Sequence, residues 1–332
     1  MVIFSGIQPT GRKHLGNYIG AILQYVEGQD RGEPAIYCIV DLHATTVAYD
    51  PAELRRRSQD TAALLVAAGL DPARCVLFRQ GDVPEHSELT WLLSSVIPLG
   101  VLNRMHQFRD KSVAQREMVS SGLLFYPVLM AADVLAYRAH EVPVGEDQRE
   151  HIEVMRDAAE TFNKRFGETL VVPRGNIPTV GARVRDLQEP ERKMSTTGGT
   201  PRGRVYVDEE PAAIIKKFKS AQTDSGREIV RGDDKPGITN LIEILAVVRG
   251  TAPAAIEHDF EGSGYGDFKL AVGEEVAAWL APVRERYLEL REDTDAIEGF
   301  LAEGAAKAQA IAAPVLADVR EAMGVGPVRR AP

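Results

Sequence analysis

The chain has few cysteines and no long apolar run. Among its 332 residues are two cysteines, Cys38 and Cys75, which lie far apart and inside apolar runs. Two cysteines cannot bind an iron–sulfur cluster or form a cysteine-rich zinc site, so we expect both to be small buried core residues. Apolar runs stay well short of a membrane span and the first residues do not resemble a signal peptide. These absences predict a cytoplasmic protein.

An excess of positive charge is also absent. The 39 Lys and Arg residues are outnumbered by 48 Asp and Glu residues, which gives a net charge of −9. This balance excludes a strongly basic protein that coats nucleic acid, and any nucleic-acid partner must be bound by local basic patches. The length and the 44% hydrophobic content suit two globular domains of ordinary size.

Several common nucleotide-binding and catalytic motifs are missing. The sequence has no Gly-x-Gly-x-x-Gly after its first predicted strand and no Gly-Lys-Ser/Thr P-loop. It also lacks His-Glu-x-x-His and Gly-x-Ser-x-Gly. A nucleotide would therefore be held by neither glycine-rich fingerprint, and the zinc-protease and serine-hydrolase motifs are excluded.

The first residues are typical of a strand, a tight turn and a helix. Val2-Ile3-Phe4 is apolar, Gln8-Pro9-Thr10-Gly11 is typical of a turn, and apolar residues recur at helical spacing over 17–26. His14-Leu15-Gly16-Asn17 falls at the first turn of this helix, where unpaired N–H groups and the helix dipole favour a phosphate. The glycine would let a flat ring or a phosphate approach the backbone. Alternatively, the histidine is a solvated turn residue and the asparagine a helix cap.

Strands and helices alternate over the next part of the chain. Strands are predicted at 35–42, 75–80, 141–144 and 170–172, and helices at 51–68, 87–97, 126–137 and 148–166. Asp50 and Gly69 are start and stop signals for the helix between them, and Trp91 is expected in the core. The alternation predicts an α/β fold, a doubly wound parallel sheet with its ligand site beyond the carboxyl ends of the strands.

The segment from Tyr126 to Tyr137 places a carboxylate among apolar side chains. With Pro127 at the predicted first helical position, Tyr126, Met130, Asp133 and Tyr137 fall along one face. A carboxylate on such a face is costly to bury unless it accepts a hydrogen bond. Asp133 is thus either a solvated acid on a buried helix or the floor of a pocket, accepting an N–H or hydroxyl of an aromatic ligand that packs on Met130.

Two further loops contain candidate ligand contacts. Gly145-Glu146-Asp147-Gln148 follows a predicted strand, and Asp147 with Glu150 fits a capping box. Alternatively, this loop binds ribose hydroxyls and a substrate ammonium group. The polar stretch 107–122 contains Lys111, which is either a surface lysine or a polyphosphate contact.

The composition changes near residue 190. A loop rich in Gly, Thr and Arg follows Thr197, and helical patterns then dominate, with predicted helices near 211–221, 236–249, 252–260, 265–292 and 295–323. We expect one domain over 1–190, which contains the sheet, and a loop and helical domain over 191–332. The last helix is a candidate for packing back on the first domain.

Six short motifs occur in an order that resembles a known family. They are Phe4-Ser-Gly-Ile-Gln-Pro-Thr-Gly, His14-Leu-Gly-Asn, Ile39-Val-Asp-Leu-His43, Met130-Ala-Ala-Asp133, Pro143-Val-Gly-Glu-Asp-Gln148 and Lys193-Met-Ser195. Each motif is modest alone, but the six in register are highly specific. The chain is similar to the bacterial tryptophanyl-tRNA synthetases, a family of class I aminoacyl-tRNA synthetases, from residue 2 to about residue 324.

The resemblance implies a fold, an activity and partners. It implies a class I Rossmann-type catalytic domain, a helical domain that recognises the tRNA anticodon, and a homodimer. The implied reaction joins L-tryptophan to ATP, with Mg²⁺ bound through the ATP phosphates, and transfers the acyl group to the 3′ end of tRNA(Trp). Two alternatives stay open: the tyrosine-specific relative, and a catalytically reduced paralogue that acts as a binding or regulatory protein.

The resemblance also assigns roles to residues. Implied catalytic residues are His14, Asn17, Lys111, Lys193 and Ser195. Implied ATP contacts are Gln8, Pro9, Thr10, Gly16, Asn17, Gly145, Glu146, Asp147, Val184, Lys193, Met194, Ser195, Thr196 and Thr197. Implied tryptophan contacts are Phe4, His43, Tyr126, Met130, Asp133, Val142, Val144 and Gln148. Asp133 would accept the indole N–H, and no side chain is assigned to a metal.

One motif departs from the family pattern. The family loop reads Lys-Met-Ser-Lys-Ser, whereas this chain has Lys193-Met194-Ser195-Thr196-Thr197. Thr196 brings no charge, which weakens the expected stabilisation of the departing pyrophosphate. Our hypothesis is that Arg202 and Arg204, further along the loop, replace that charge.

A basic cluster lies beyond this loop. It consists of Lys216, Lys217, Lys219, Arg227 and Arg231. These residues are candidates for tRNA phosphate contacts, and the alternative is a solvated helix face.

Overall fold

A parallel sheet of five strands organises the first part of the chain. The structure, a computed structural model, describes residues 1–105, 120–144, 148–176, 184–196 and 199–326. The strands are β1 (Ile3–Ile7), β2 (Ala35–Ile39), β3 (Val76–Arg79), β4 (Glu141–Pro143) and β5 (Arg174–Asn176), in the spatial order β3-β2-β1-β4-β5. In this register Ile3 is paired with Ala35 on one side and with Glu141 on the other. The strand order reverses between β1 and β4, where doubly wound sheets form a ligand crevice.

Helices pack on both faces of this sheet. Their bounds are α1 (Leu15–Asn17, a π-helical Tyr18–Ile22 and Leu23–Asp30), α2 (Asp41–Ala44), α3 (Pro51–Ala67), α4 (Glu85–Ser94), α5 (Leu99–Arg104), α6 (Ser121–Leu135) and α7 (Arg149–Phe166). Alternate residues of β2 enter two different apolar clusters: Ala35, Tyr37 and Ile39 join one, and Ile36 and Cys38 join the other. The doubly wound parallel sheet predicted from the alternation of strands and helices is therefore confirmed.

The last third of the described chain is helical. It contains α8 (Pro211–Lys219), α9 (Pro236–Arg249), α10 (Pro253–Asp259), α11 (Tyr265–Glu292) and α12 (Thr294–Met323). Helix α12 packs against β3 so closely that a Cβ at Gly304 would lie 1.8 Å from the carbonyl oxygen of Leu77. Among the described residues no single helix is long and apolar enough to cross a membrane, and α9 with α10 passes that test only as a pair bent by 104°.

Most predicted helices form near their expected bounds, and one helix start is wrong. Asp50 caps α3 by accepting a hydrogen bond from the Glu53 N–H, and Gly69 follows the helix end with a φ of +120°. In contrast, α6 begins at Ser121, because the Ser120 side chain caps it through the Leu123 N–H. Pro127 is therefore inside α6 and not at its start.

The strand predicted at 170–172 does not form. The side chain of Asn163 occupies the hydrogen-bonding groups that a strand would use: its Oδ1 accepts the Leu170 N–H at 2.9 Å and its Nδ2 donates to the Leu170 carbonyl at 2.7 Å. The fifth strand forms a few residues later, at Arg174–Asn176, and pairs with β4.

Trp91 is wrongly predicted to be a core residue. Helix α4 buries His86, Leu89 and Leu93, which share one face, and Trp91 lies outside that face with 74% of its surface exposed.

Cys38 and Cys75 are both buried, as expected. Trp279 and Tyr287, on α11, both contact the apolar cluster that includes Tyr37.

Candidate active site

A cavity of about 430 Å³ lies at the switch point between β1 and β4. All eight residues predicted to contact the amino acid line it, together with Gln8: Phe4, His43, Tyr126, Met130, Asp133, Val142, Val144 and Gln148. The Ser5 hydroxyl donates to the Pro143 carbonyl at 3.3 Å and so links β1 to β4 at the cavity wall. Three separate parts of the chain thus meet around one space, as the sheet topology requires.

The carboxylate of Asp133 is held at the cavity by three hydrogen bonds. Gln80 Nε2 and His86 Nδ1 donate to Oδ1 at 2.7 and 2.6 Å, and His43 Nε2 donates to Oδ2 at 2.9 Å. Asp133 is 2% exposed, so it is not the solvated acid of the alternative interpretation. Because each carboxylate oxygen can accept two hydrogen bonds, Oδ1 is saturated and Oδ2 retains one acceptor position.

These hydrogen bonds keep Asp133 ionised. Burial alone would raise its pKa, but the hydrogen bonds from His43 and His86 outweigh burial and lower the pKa below its ordinary value. Both histidines must then present an N–H to the carboxylate. In neutral His86 the other nitrogen, Nε2, accepts the Tyr137 hydroxyl at 2.7 Å, so the contacts run from Tyr137 through His86 to Asp133.

Gln80 and His86 are parts of the site that sequence reasoning missed. Gln80 directly follows β3, just as His43 follows shortly after β2, and the carboxyl ends of parallel strands meet at one edge of the sheet. That rule could have identified Gln80. His86, in the first turn of α4, gave no comparable signal in the sequence.

Tyr126, on the same helix as Asp133, makes another buried hydrogen bond at the cavity. The Tyr126 hydroxyl and His151 Nε2 are 3.0 Å apart, and the rings of Tyr126 and His43 meet edge to face at 6.3 Å. Burial raises the pKa of Tyr126 to about 12, so its hydroxyl stays protonated at neutral pH. Tyr126 therefore presents a neutral ring to the cavity.

The turn after β1 is built from reciprocal backbone contacts. The Asn17 side chain accepts the His14 N–H at 3.1 Å, and His14 Nδ1 accepts the Asn17 N–H at 3.3 Å, which forms a capping box. Asn17 therefore takes part in the helix cap, as one interpretation predicted, whereas His14 is the N-cap residue, is 3% exposed and is not a solvated turn residue. A Cβ at Gly16 would lie 3.1 Å from the His14 ring and 3.6 Å from Val184, so these three residues lie together.

Positive charges surround His14. Its pKa is lowered to about 4, first by burial and then by the charges of Lys13, Arg204 and Lys193. His14 is therefore neutral at physiological pH. Buried Lys13 holds the preceding turn, because its Nζ donates to the carbonyl oxygens of Gln8 at 2.6 Å and Thr10 at 3.2 Å. A neutral imidazole within a group of cations suits a polyphosphate.

The Lys193–Thr196 segment lies against this same turn. Met194 is 1% exposed and its N–H donates to the Val184 carbonyl at 3.0 Å. A Cβ at Gly11 would lie 2.1 Å from the Thr196 methyl carbon, so the threonine side chain rests on the Gly11 backbone. Beyond the loop, the chain pairs with the first turn again, since the Leu15 N–H donates to the Val205 carbonyl at 2.8 Å.

Some predicted site residues lie outside the described part of the chain. They are Lys111, Gly145, Glu146, Asp147 and Thr197. Of the basic residues predicted to contact tRNA, Lys217 donates to Glu209 at 2.8 Å and Arg231 pairs with Glu257 at 3.0 Å, whereas Lys216 and Lys219 are exposed. Lys217 is thus used within the chain and does not fit the predicted phosphate contact.

The fold and this crevice define a class of protein, and comparison with known proteins agrees. The profile of the family described as tRNA synthetases class I (W and Y) matches residues 1–281. The chain is 46% identical over 331 residues to tryptophan–tRNA ligase 2 of Streptomyces avermitilis, with 98% of each chain covered. It is also 46% identical to tryptophan–tRNA ligase of Bacillus anthracis, with 99% of each chain covered.

Solved structures give the same result. Tryptophanyl-tRNA synthetase of Mycoplasma pneumoniae superposes with a TM-score of 0.90 at 32% identity, covering 98% of each chain. The enzyme of Campylobacter jejuni, complexed with ADP and tryptophan, superposes with a TM-score of 0.83 at 34% identity, covering 98% of this chain and all of the other. The chain therefore is a class I aminoacyl-tRNA synthetase. Within that class it belongs to the family of the tryptophan- and tyrosine-specific enzymes.

Proposed function

We propose that this chain activates L-tryptophan with ATP and transfers it to the 3′ end of tRNA(Trp). The observation that carries this proposal is the buried carboxylate of Asp133, which lines the cavity of about 430 Å³ and whose Oδ2 retains one acceptor position. The indole N–H would donate to this oxygen, and the ring would pack between Phe4 and Met130. The complex of the Campylobacter jejuni relative with ADP and tryptophan supports the same pair of ligands.

The chemical step needs alignment and charge more than a protein nucleophile. A carboxylate oxygen of tryptophan forms a bond to the α-phosphorus of ATP, and the bond from that phosphorus to the oxygen bridging to the β-phosphorus breaks. Pyrophosphate leaves with the electron pair, and tryptophanyl-adenylate remains. The tRNA 3′-terminal hydroxyl then attacks the acyl carbon and AMP leaves. Positioning and cations at the phosphates supply the catalysis.

The nucleotide would lie over the turn after β1. Gln8, Pro9, Thr10, Gly16 and Asn17 would hold it from this turn, and Val184, Lys193, Met194, Ser195 and Thr196 from the loop that faces it. Among the described residues no group of three or more His, Cys, Asp or Glu side chains could hold a metal. Mg²⁺ would be held mainly by ATP phosphate oxygens, where it would offset their charge.

A homodimer is part of the proposal. Three large apolar side chains are exposed on neighbouring helices: Trp91 on α4, Leu99 on α5 and Phe125 on α6. A second copy of the chain would cover this surface, as the family resemblance implies. Trp91→Glu should then shift the sedimenting species from dimer to monomer, whereas Tyr49→Glu, at another exposed aromatic residue, should not.

The remaining parts of the proposal concern tRNA and location. Exposed Lys216 and Lys219 would contact tRNA phosphates, and the helical part of the chain would recognise the anticodon. We place the enzyme in the cytoplasm, where tRNA is charged.

Amino-acid-dependent exchange of radioactive pyrophosphate into ATP tests the proposal. We expect exchange with tryptophan alone when the twenty amino acids are compared. Exchange with tyrosine alone would favour the tyrosine-specific alternative. Exchange with neither, in a folded protein, would favour a binding or regulatory role.

A further inference from the structure

Thr196 occupies the position of the second lysine in the family motif, and the guanidinium of Arg204 contacts its backbone. Arg204 Nη1 donates to the Thr196 carbonyl at 2.9 Å, and Nη2 donates to the Gly199 carbonyl at 3.0 Å. One guanidinium thus holds two points of the loop. Arg202, the other arginine in our hypothesis, is exposed.

The backbone of Arg204 is fixed on both sides. Lys217 Nζ donates to the Arg204 carbonyl at 2.6 Å, and the same ammonium group pairs with Glu209. The preceding carbonyl, of Gly203, accepts the Leu187 N–H at 2.9 Å, and the following carbonyl, of Val205, accepts the Leu15 N–H. The guanidinium is therefore anchored to a frame that includes the first turn of α1.

The end of the loop that Arg204 holds is tightly packed around Asp186. A Cβ at Gly203 would lie 1.8 Å from Asp186 Oδ1, and a Cβ at Gly199 would lie 2.5 Å from Asp186 Oδ2. Asp186 is itself 2% exposed and accepts the Gln188 N–H at 2.8 Å. These contacts leave no space for a side chain at Gly199 or Gly203.

Arg204 also has the charge that residue 196 lacks. Its charge contributes to the low pKa of His14, after burial and Lys13, and so its positive field extends to the first turn of α1. Its Nε–H is buried and has no partner among the residues that the structure describes. A cation beside this turn suits an anionic ligand.

We propose that Arg204 takes over both tasks of the missing loop lysine: it positions the Lys193–Thr196 loop through its carbonyl oxygens, and it places positive charge beside the departing pyrophosphate. This inference rests on the proposed function, because it concerns the ATP-dependent step. It revises our sequence hypothesis, since it assigns the compensation to Arg204 and none to Arg202. Arg204 acts mainly as a positioning residue, with its effect on the phosphates added by charge.

The test compares variants in tryptophan-dependent ATP–pyrophosphate exchange. Arg204→Met removes the charge and the hydrogen bonds to both loop carbonyls, and we expect kcat/KM for ATP to fall about 10- to 100-fold while the KM for tryptophan stays near that of the wild type. Arg204→Lys keeps the charge but cannot bind both carbonyls at once, so its kcat/KM for ATP should lie between those of the wild type and Arg204→Met. The matched control, Arg202→Met, should behave as the wild type.

A rescue variant separates this role from a merely structural one. Adding Thr196→Lys to Arg204→Met should recover part of the lost kcat/KM for ATP, because the charge returns at the family position although the two carbonyl contacts do not. An unchanged kcat/KM in Arg204→Met, a failed rescue in a folded double variant, or an equal loss in Arg202→Met would overturn the proposal. A wild-type enzyme without tryptophan-dependent exchange would instead contradict the proposed function.

Discussion

The two sides of the crevice are built in different ways. On the amino-acid side, Asp133 is held by three donors within 2.9 Å, and His43, Gln80 and His86 are all buried. On the nucleotide side, the cations come from the turn after β1 and from the Lys193–Thr196 loop. These two segments meet where the Thr196 side chain contacts the backbone of Gly11. The proposed function explains this difference, because recognition of one indole N–H would need a fixed acceptor, whereas phosphoryl chemistry would need charge gathered around the nucleotide.

Asp133→Asn should break the amino-acid side with the largest effect. An amide at this position would turn a donor toward at least one of the three N–H groups and remove the ionised acceptor. We expect kcat/KM for tryptophan to fall on the order of 1000-fold, with the KM for ATP little changed. ATP–pyrophosphate exchange and thermal unfolding measure both effects. Asp318→Asn, which changes a partly exposed ion pair with Arg138, is the control. An equal loss for both substrates would contradict the separation of the two sides.

Gly11→Ala should break the nucleotide side. The new methyl would meet the Thr196 side chain, and Gly11 has a φ of +61° that disfavours alanine. We expect kcat/KM for ATP to fall roughly 50-fold from the combined strain and displacement. Gly32→Ala is a matched control, since its φ is +74° but nothing lies within 4 Å of the new methyl. If both variants lose ATP-dependent activity equally, the contact with Thr196 is not the cause.

The low pKa of His14 predicts how stability changes with pH. Its pKa in the folded chain is about 4, below the ordinary 6.5, so the unfolded chain binds the proton first as the pH falls. The stabilisation is complete above pH 6.5 and is lost toward pH 4, which amounts to about 2 kcal/mol between pH 7.5 and 5. Urea unfolding of His14→Gln should show a correspondingly smaller loss, and His258→Gln, at an exposed histidine, should match the wild type. An identical pH dependence of His14→Gln and wild type would contradict the burial of a neutral imidazole.

Tyr137→Phe should give the smallest effect and sharpen the account of Asp133. It removes the hydroxyl at the far end of the Tyr137–His86–Asp133 contacts without opening a cavity. We expect about a fivefold rise in the KM for tryptophan, because His86 loses a partner but still donates to Asp133. Tyr49→Phe, at an exposed tyrosine, should leave the KM unchanged. No change in Tyr137→Phe would show that His86 is positioned without the hydroxyl.

The sequence also predicts some parts of the molecule better than others. Local patterns predict the strand and helix alternation, and the eight residues that the motif resemblance assigns to the amino acid are all among those that line the cavity. They do not predict Gln80 and His86, because these residues reach Asp133 through space from separate strand and helix ends. The strand predicted at 170–172 does not form for a similar reason, since the side chain of Asn163, from the end of the preceding helix, takes the backbone hydrogen bonds of Leu170. Trp91 shows the limit of composition, because a large apolar residue can lie on the outer face of a helix.

The most direct test of the central claim compares tryptophan with β-(benzothiophen-3-yl)alanine, which has nearly the same shape but carries sulfur in place of the indole N–H. In ATP–pyrophosphate exchange, we expect the wild type to favour tryptophan in kcat/KM on the order of 1000-fold, because the analogue leaves Asp133 Oδ2 without its donor. Asp133→Asn should lose most of that preference. Equal use of the two amino acids by the wild type would contradict the claim that the fixed carboxylate of Asp133 recognises the substrate.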